Sequence, residues 1–245
     1  MPEITPSRYV VFLGWEGVPH LSEKTKEELL ASYPLHERDA RTKGVPGLGD
    51  GAVYPLSTDN IVCEPFIVPD HWPRVYGMDV GWNCTAVVWG AWDRESDQVY
   101  IYTEHYRGQQ VPSVHRDAIV ARGDWIPGVI DPASGSSGQR DGAQLLADYR
   151  ELGLELNPAQ NSREAGVLKI WQRLASGRLK IFKTCTNLLS EYRFYRRVKG
   201  KIVESHDHAL DALRYLIISG LQYAVCKPGT GADSPIYRRQ INTGY

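Results

Sequence analysis

The stretch from Arg74 to Asp93, RVYGMDVGWNCTAVVWGAWD, limits the fold more than any other part of the chain. A short apolar run, Val75-Tyr76-Gly77-Met78, ends on Asp79. Val80-Gly81-Trp82-Asn83 then makes a turn, and Cys84 to Trp92 returns as a second run rich in β-formers. Such a pattern reads as two antiparallel strands with a carboxylate at the rim of a sheet. Strand and turn give that carboxylate a fixed aim, and Gly81 lets a ligand or another backbone come close. An Asp entering a hairpin is also an ordinary turn residue that bonds its own backbone. It becomes a site only where other carboxylates converge on it.

Downstream of this hairpin the pattern stays legible. Runs at 75–79, 84–92 and 98–106 are joined by short loops, the second loop being Asp93-Arg94-Glu95-Ser96-Asp97, so a three-stranded antiparallel meander is expected. Helix and strand then alternate. Val111 to Arg122 reads as a helix, 128–131 as a strand, Asp141 to Leu152 as a helix and Leu154 to Leu156 as a strand. Arg163 to Ser176 is an amphipathic helix, Leu179 to Phe182 a strand, Thr186 to Arg197 a helix, and His206 to Tyr223 a long final helix. The predicted class is α/β: one mixed sheet, the meander plus parallel strands, with helices on both faces. Upstream, Ser22 is placed to cap a short helix running through Ser32, and Val10 to Leu13 reads as a strand. Thr42 to Gly51 is too rich in Gly and Pro for regular structure, and 62–74, with Pro65, Pro69 and Pro73, reads as an extended connector. Residues 1–73 are therefore expected to be a linker or extended segment, 74–225 the folded core, and 226–245 a flexible C-terminal tail.

Two further acids repeat the placement of Asp79. Asp131, in VIDPASG, closes an apolar run that Pro132 stops, and an Asp-Pro turn would look the same. Asp207 and Asp211, in SHDHALDALRY, are spaced i, i+4 and share one face at the start of the last helix. Two like charges there repel by a few tenths of a kcal/mol, which the helix dipole offsets and a bound cation more than reverses. Asp79, Asp131 and Asp207, with Asp211 beside them, form an all-oxygen donor set, which favours Mg²⁺ or Mn²⁺ over zinc. Two such ions roughly 3.5–4 Å apart can activate a water and stabilise the leaving oxygen of a phosphodiester. Acids crowded in one cleft without cations carry a severe electrostatic cost. Metal-assisted phosphodiester hydrolysis is the expected chemistry.

Charge is balanced overall, at −1 for 245 residues, so a nucleic-acid surface has to be local. Such a surface is present between Arg163 and Lys201, where eleven Lys and Arg face only Glu164 and Glu191 as acids. Its densest part is Arg193, Arg196, Arg197, Lys199 and Lys201, expected to take a phosphate backbone without reading bases. The four cysteines, Cys63, Cys84, Cys185 and Cys226, form no CxxC pair, which argues against zinc and disulfides and for a reducing cytoplasm. No window approaches the ~20 apolar residues that span a bilayer.

With these residues in view, the chain resembles the nuclease domain of tailed-bacteriophage terminase large subunits, the motors that package viral DNA and cut its concatemer. The resemblance rests on Asp79 in GMDVG, Asp131 in VIDPAS, EAGVLKIWQRLASGRLKIF at 164–182 and HDHALDALRY at 206–215, and covers about 74–223. It implies an RNase H-like fold and cleavage of double-stranded DNA by an endonuclease holding two ions, Mg²⁺ or Mn²⁺. By the same resemblance, Asp79, Asp131 and Asp207 are the acidic triad and Asp211 the additional acid; His206 and His208 flank Asp207 as candidates to assist, with no role assigned to either. The implied partners are DNA, the ATPase domain of a full-length terminase, the small terminase subunit and the portal, in the host cytoplasm. No GxxxxGKS or GxxxxGKT occurs, so the translocating ATPase is expected on another part of a longer protein. Two rival readings are another RNase H-like nuclease or resolvase, and an actin- or sugar-kinase-like ATPase. The latter needs a second Gly-rich phosphate loop, for which Asp131-Pro132-Ala133-Ser134-Gly135 is a poor stand-in.

Overall fold

The computed structural model describes residues 3–5, 8–9, 14–15, 21–33, 42, 51–130 and 139–229. Two compact units divide the chain: Met1–Asn60 with Arg193–Glu204, and Ile61–Tyr192 with Ser205–Tyr245.

In the smaller unit β1 (Glu3–Thr5) pairs with β2 (Arg8–Tyr9). Helix α1 (Glu23–Ser32) begins as its sequence requires, because the Ser22 hydroxyl accepts the Thr25 N–H at 3.2 Å. A short helix, α2 (Thr58–Ile61), leads out of this part of the chain. The strand expected at Val10 to Leu13 lies outside the described residues.

The larger unit is built on a seven-stranded sheet: β3 (Val62–Cys63), β4 (Arg74–Asp79), β5 (Thr85–Asp93), β6 (Gln98–Arg107), β7 (Gly128–Ile130), β8 (Leu156–Pro158) and β9 (Leu179–Phe182). Its spatial order is β3-β9-β6-β5-β4-β7-β8. Only the β6-β5-β4 meander is antiparallel; every other neighbouring pair is parallel. The strands crossing the middle are apolar throughout because both their faces are covered, and Val75 to Asp79 and Thr85 to Ala91 are all buried. Crossovers are supplied by α3 (Pro112–Val120), α4 (Gln139–Glu151) and α5 (Arg163–Ala175), and α6 (Thr186–Phe194) follows the last strand of the sheet. The chain closes on α7 (His208–Tyr215), one π turn over Leu216–Gly220 and a 3₁₀ turn over Leu221–Tyr223.

Alternation along β4 decides which side chain meets which layer. Tyr76 and Met78 join Val87, Trp89 and Ile130 in a core with Ile119 of α3, Tyr149 of α4 and Leu156. Each such fully buried apolar side chain stabilises the fold by roughly 1.5–3 kcal/mol. The other face carries α7 and the π turn. A Cβ on Gly77 would collide with the Ala212 carbonyl oxygen, and one on Gly90 would meet the Leu216 methyls at 3.1 and 3.2 Å. Helix and strand touch backbone to backbone at Gly77, so Asp79, two residues along the same face, points toward the start of α7.

The mixed sheet with helices on both faces is as expected from the sequence. Several elements differ in detail. The strand expected at Leu154 to Leu156 forms at Leu156–Pro158. Helix α6 ends at Phe194 rather than Arg197, because Arg197–Val198 (β10) turns through Lys199 and Gly200 at positive φ to pair with Lys201–Ile202 (β11). The final helix starts at His208, since His206 adopts a φ of 53° that no α-helix accepts, and it loses α geometry after Tyr215. Within the segment expected to be a connector, Val62 and Cys63 pair in parallel with Ile181 and Phe182 as an edge strand.

Candidate functional site

Asp79 is the last residue of β4 and is buried. Asp207 is the N-cap of α7, also buried, and Asp211 follows one turn later. Helical geometry puts the two α7 carboxylates on one face, as the i, i+4 spacing requires. His208 of α7 donates from Nδ1 to Asp79 Oδ2 at 2.9 Å, tying the strand end to the helix start. That bond raises the pKa of His208, against the opposing effect of burial. Arg163, at the start of α5, reaches Asp207 Oδ2 at 2.8 Å and Asp211 Oδ2 at 3.4 Å. Arg214 of α7 holds the other oxygen of Asp211 at 3.2 Å. A Cβ on Gly166 would lie 2.5 Å from the Arg214 and Ile218 side chains, so α5 and the final helix approach closely enough for Arg163 to span the gap.

The electrostatics show crowded negative charge. Burial first, and then the Asp211 carboxylate, raise the pKa of Asp207, against the pull of Arg163 and His208; Asp79 adds to the rise. A site that destabilises its own carboxylates in this way is one that a cation relieves. The donors are carboxylate oxygens and fit a hard divalent ion. Among the described residues no three His, Cys, Asp or Glu side chains are grouped as a metal cluster. Asp131 lies outside the described residues. Parallel pairing of β4 with β7 runs through Met78↔Ile130, the positions that precede Asp79 and Asp131 in sequence.

His206 is exposed, whereas His208 is half-buried at the site. Of the basic residues expected to meet phosphate, Arg193, Arg196, Lys199 and Lys201 are exposed and Arg197 is half-buried. Arg197 bonds the Gly200 carbonyl across the β10–β11 turn at 3.1 Å. Arg163, which in sequence belongs with that basic run, instead binds Asp207 and Asp211.

Glu191, in sequence a lone acid within a basic stretch, has a role that sequence reasoning misses. It is buried in α6, and its Oε2 accepts the N–H groups of Ala209 (2.8 Å) and Leu210 (3.0 Å) at the start of α7. Its Oε1 accepts the Tyr106 hydroxyl at 2.9 Å. Burial pushes the carboxyl up to about 7, against the lowering effect of those three bonds. Nothing local in the sequence marks it, because its partners lie on β6 and α7.

A family model described as the terminase RNaseH-like domain matches residues 76–219. The chain belongs to that family. The large terminase subunit of Salmonella phage P22 is 32% identical to it over 221 residues, covering 85% of this chain and 44% of the relative. The chain thus spans about half the length of the curated large terminase subunits it matches. The structure of the P22 large terminase nuclease domain superposes with a TM-score of 0.67 at 28% identity, covering 73% of this chain and 96% of that one. The large terminase nuclease of thermophilic phage G20c, solved with bound magnesium, shares the fold at a TM-score of 0.51 and 16% identity, covering 69% of this chain and 97% of that one. The RNase H-like terminase nuclease domain expected from GMDVG and HDHALDALRY is thereby borne out. The kinase-like alternative finds no support. Among the described residues no helix is long and apolar enough to cross a membrane.

Proposed function

We propose that this terminase domain is the endonuclease of a viral large terminase, hydrolysing phosphodiester bonds of double-stranded DNA with divalent cations, two Mg²⁺ or Mn²⁺. Asp79, Asp131 and Asp207 would hold the ions and Asp211 would supply a further acid. The observation that carries this reading is that His208 ties Asp79, at the end of β4, to the start of α7, where Arg163 binds both Asp207 and Asp211. When bound, such ions activate a water and stabilise the leaving oxygen. The chain's own residues do the rest. His208 fixes one oxygen of Asp79 and holds a proton at Nδ1. Arg163 balances the Asp207 and Asp211 charges, and Arg214 keeps Asp211 in place. Arg193, Arg196, Arg197, Lys199 and Lys201 are proposed to grip the phosphate backbone, which needs charge but no base reading. His206, exposed in a left-handed turn, is the weaker of the two assisting histidines.

Cutting of concatemers during packaging requires the remainder of a terminase, so an ATPase domain, a small subunit and a portal are the proposed partners, in the host cytoplasm. A supercoiled-plasmid nicking assay tests the reading. Wild type is expected to cut with Mn²⁺ or Mg²⁺ and not in EDTA, and Asp79→Asn and Asp207→Asn to lose about 100-fold or more in rate. Undiminished cutting in EDTA, or by Asp79→Asn, overturns it.

A further inference from the structure

An Asp at a helix N-cap ordinarily turns its carboxylate inward to accept the N–H groups of the second and third helical residues. In α7 those residues are Ala209 and Leu210, and Asp207 makes no such bond. Both N–H groups go instead to Glu191 Oε2, at 2.8 and 3.0 Å. The Asp207 carboxylate instead accepts from Arg163 at 2.8 Å. Glu191 is itself fixed, buried on α6 with its second oxygen bonded to the Tyr106 hydroxyl at 2.9 Å.

We infer that Glu191 is a positioning residue: it caps α7 from a different helix and so releases the Asp207 carboxylate from its own helix end to serve the site. Without that borrowed cap, two buried N–H groups would be left without acceptors, a cost that the nearest acceptor removes. That acceptor is Asp207, one residue before the helix. Its carboxylate would rotate back to cap α7 and leave the site. Glu191, bonded to Tyr106, Ala209 and Leu210, acts through the helix start and Asp207. An amide at 191 keeps an acceptor oxygen for the helix N–H groups, so the role depends on an oxygen at that place rather than on charge.

The inference rests on the metal-dependent reading above, and the two fail differently. Mn²⁺ titration of the whole chain by calorimetry, without DNA, is read for wild type, Glu191→Gln, Glu191→Ala, Asp207→Asn and the Glu191→Ala/Asp207→Asn double variant. Glu191→Gln is expected to bind within about threefold of wild type, and Glu191→Ala about tenfold or more weaker, the range seen when groups that orient ligands are removed. Adding Glu191→Ala to Asp207→Asn is expected to change the affinity no further, because the effect runs through Asp207. Should Glu191→Ala not fold, Glu191→Asp, too short to reach both N–H groups, takes its place in the same comparison. Glu191→Ala, or Glu191→Asp in its place, folded and binding Mn²⁺ as wild type does, or equal losses in both backgrounds, overturns the inference. No binding by wild type overturns the metal-dependent reading itself, and the inference with it.

Discussion

Two buried histidines outside the site show how single residues set the pH range of this fold. His105 of β6 and His115 of α3 lie with Nε2 and Nδ1 2.9 Å apart. Burial first, then His115 and the guanidinium groups of Arg122 and Arg107, lower His105 to about 4, and burial lowers His115 as well. In the unfolded chain an imidazole protonates near 6.5, so between those values the unfolded state binds more protons. Stability is therefore full above about 6.5 and falls as the pH drops toward 4. His105 alone accounts for a loss on the order of 2–3 kcal/mol over that span. Urea midpoints measured at pH 7 and pH 4.5 should converge in His105→Gln relative to wild type. An unchanged difference between the two pH values would show that the pair has no part in acid sensitivity.

At the scale of elements, the site depends on one contact, α7 laid against the β4 backbone. Gly77 makes it, because any side chain there would collide with the Ala212 carbonyl. Gly166 does the same for α5 against Arg214 and Ile218. These glycines set the spacing of layers; neither has the positive φ that only glycine tolerates easily. Gly77→Ala is expected to cost about 1–3 kcal/mol by overpacking. It should also separate Asp79 from Asp207, and a shift of about 1 Å there is enough for roughly 100-fold in cleavage. Denaturant unfolding and plasmid nicking on the same preparation check both effects. Loss of stability with full cleavage would mean that the contact does not align the acids.

For the whole molecule, the net charge of −1 means that the proposed hold on DNA has to come from a local surface, and that salt should reveal it. Arg196 and Lys201 are exposed in the smaller unit. In Arg196→Gln/Lys201→Gln the slope of log affinity against log salt should fall by about 2, one for each phosphate that the variant no longer neutralises. Fluorescence anisotropy with a labelled duplex at several salt concentrations gives that slope, and an unaltered value would move the DNA surface elsewhere on the chain.

Local signals carried far in this protein. Short runs rich in β-formers and the Asp93–Asp97 loop specify the meander, because β propensity and turn chemistry are written in neighbouring residues. Ser22 marks its helix start for the same reason, and i, i+4 spacing is enough to put Asp207 and Asp211 on one face. What stays hidden depends on residues distant in the chain. Arg163 looks like one more phosphate-binding cation until α5 brings it onto Asp207 and Asp211. Glu191 looks like a stray acid until its helix sets it over the first turn of α7. The early end of α6 and the π turn after Tyr215 likewise follow from pairing and packing rather than helix propensity. Sequence determined the elements and nominated the acids, since both follow from short-range pattern. Only the tertiary structure decided which charges neutralise one another and which helix end goes uncapped by its own residue, because hydrogen bonds and ion pairs act over a few ångströms of space whatever the separation along the chain.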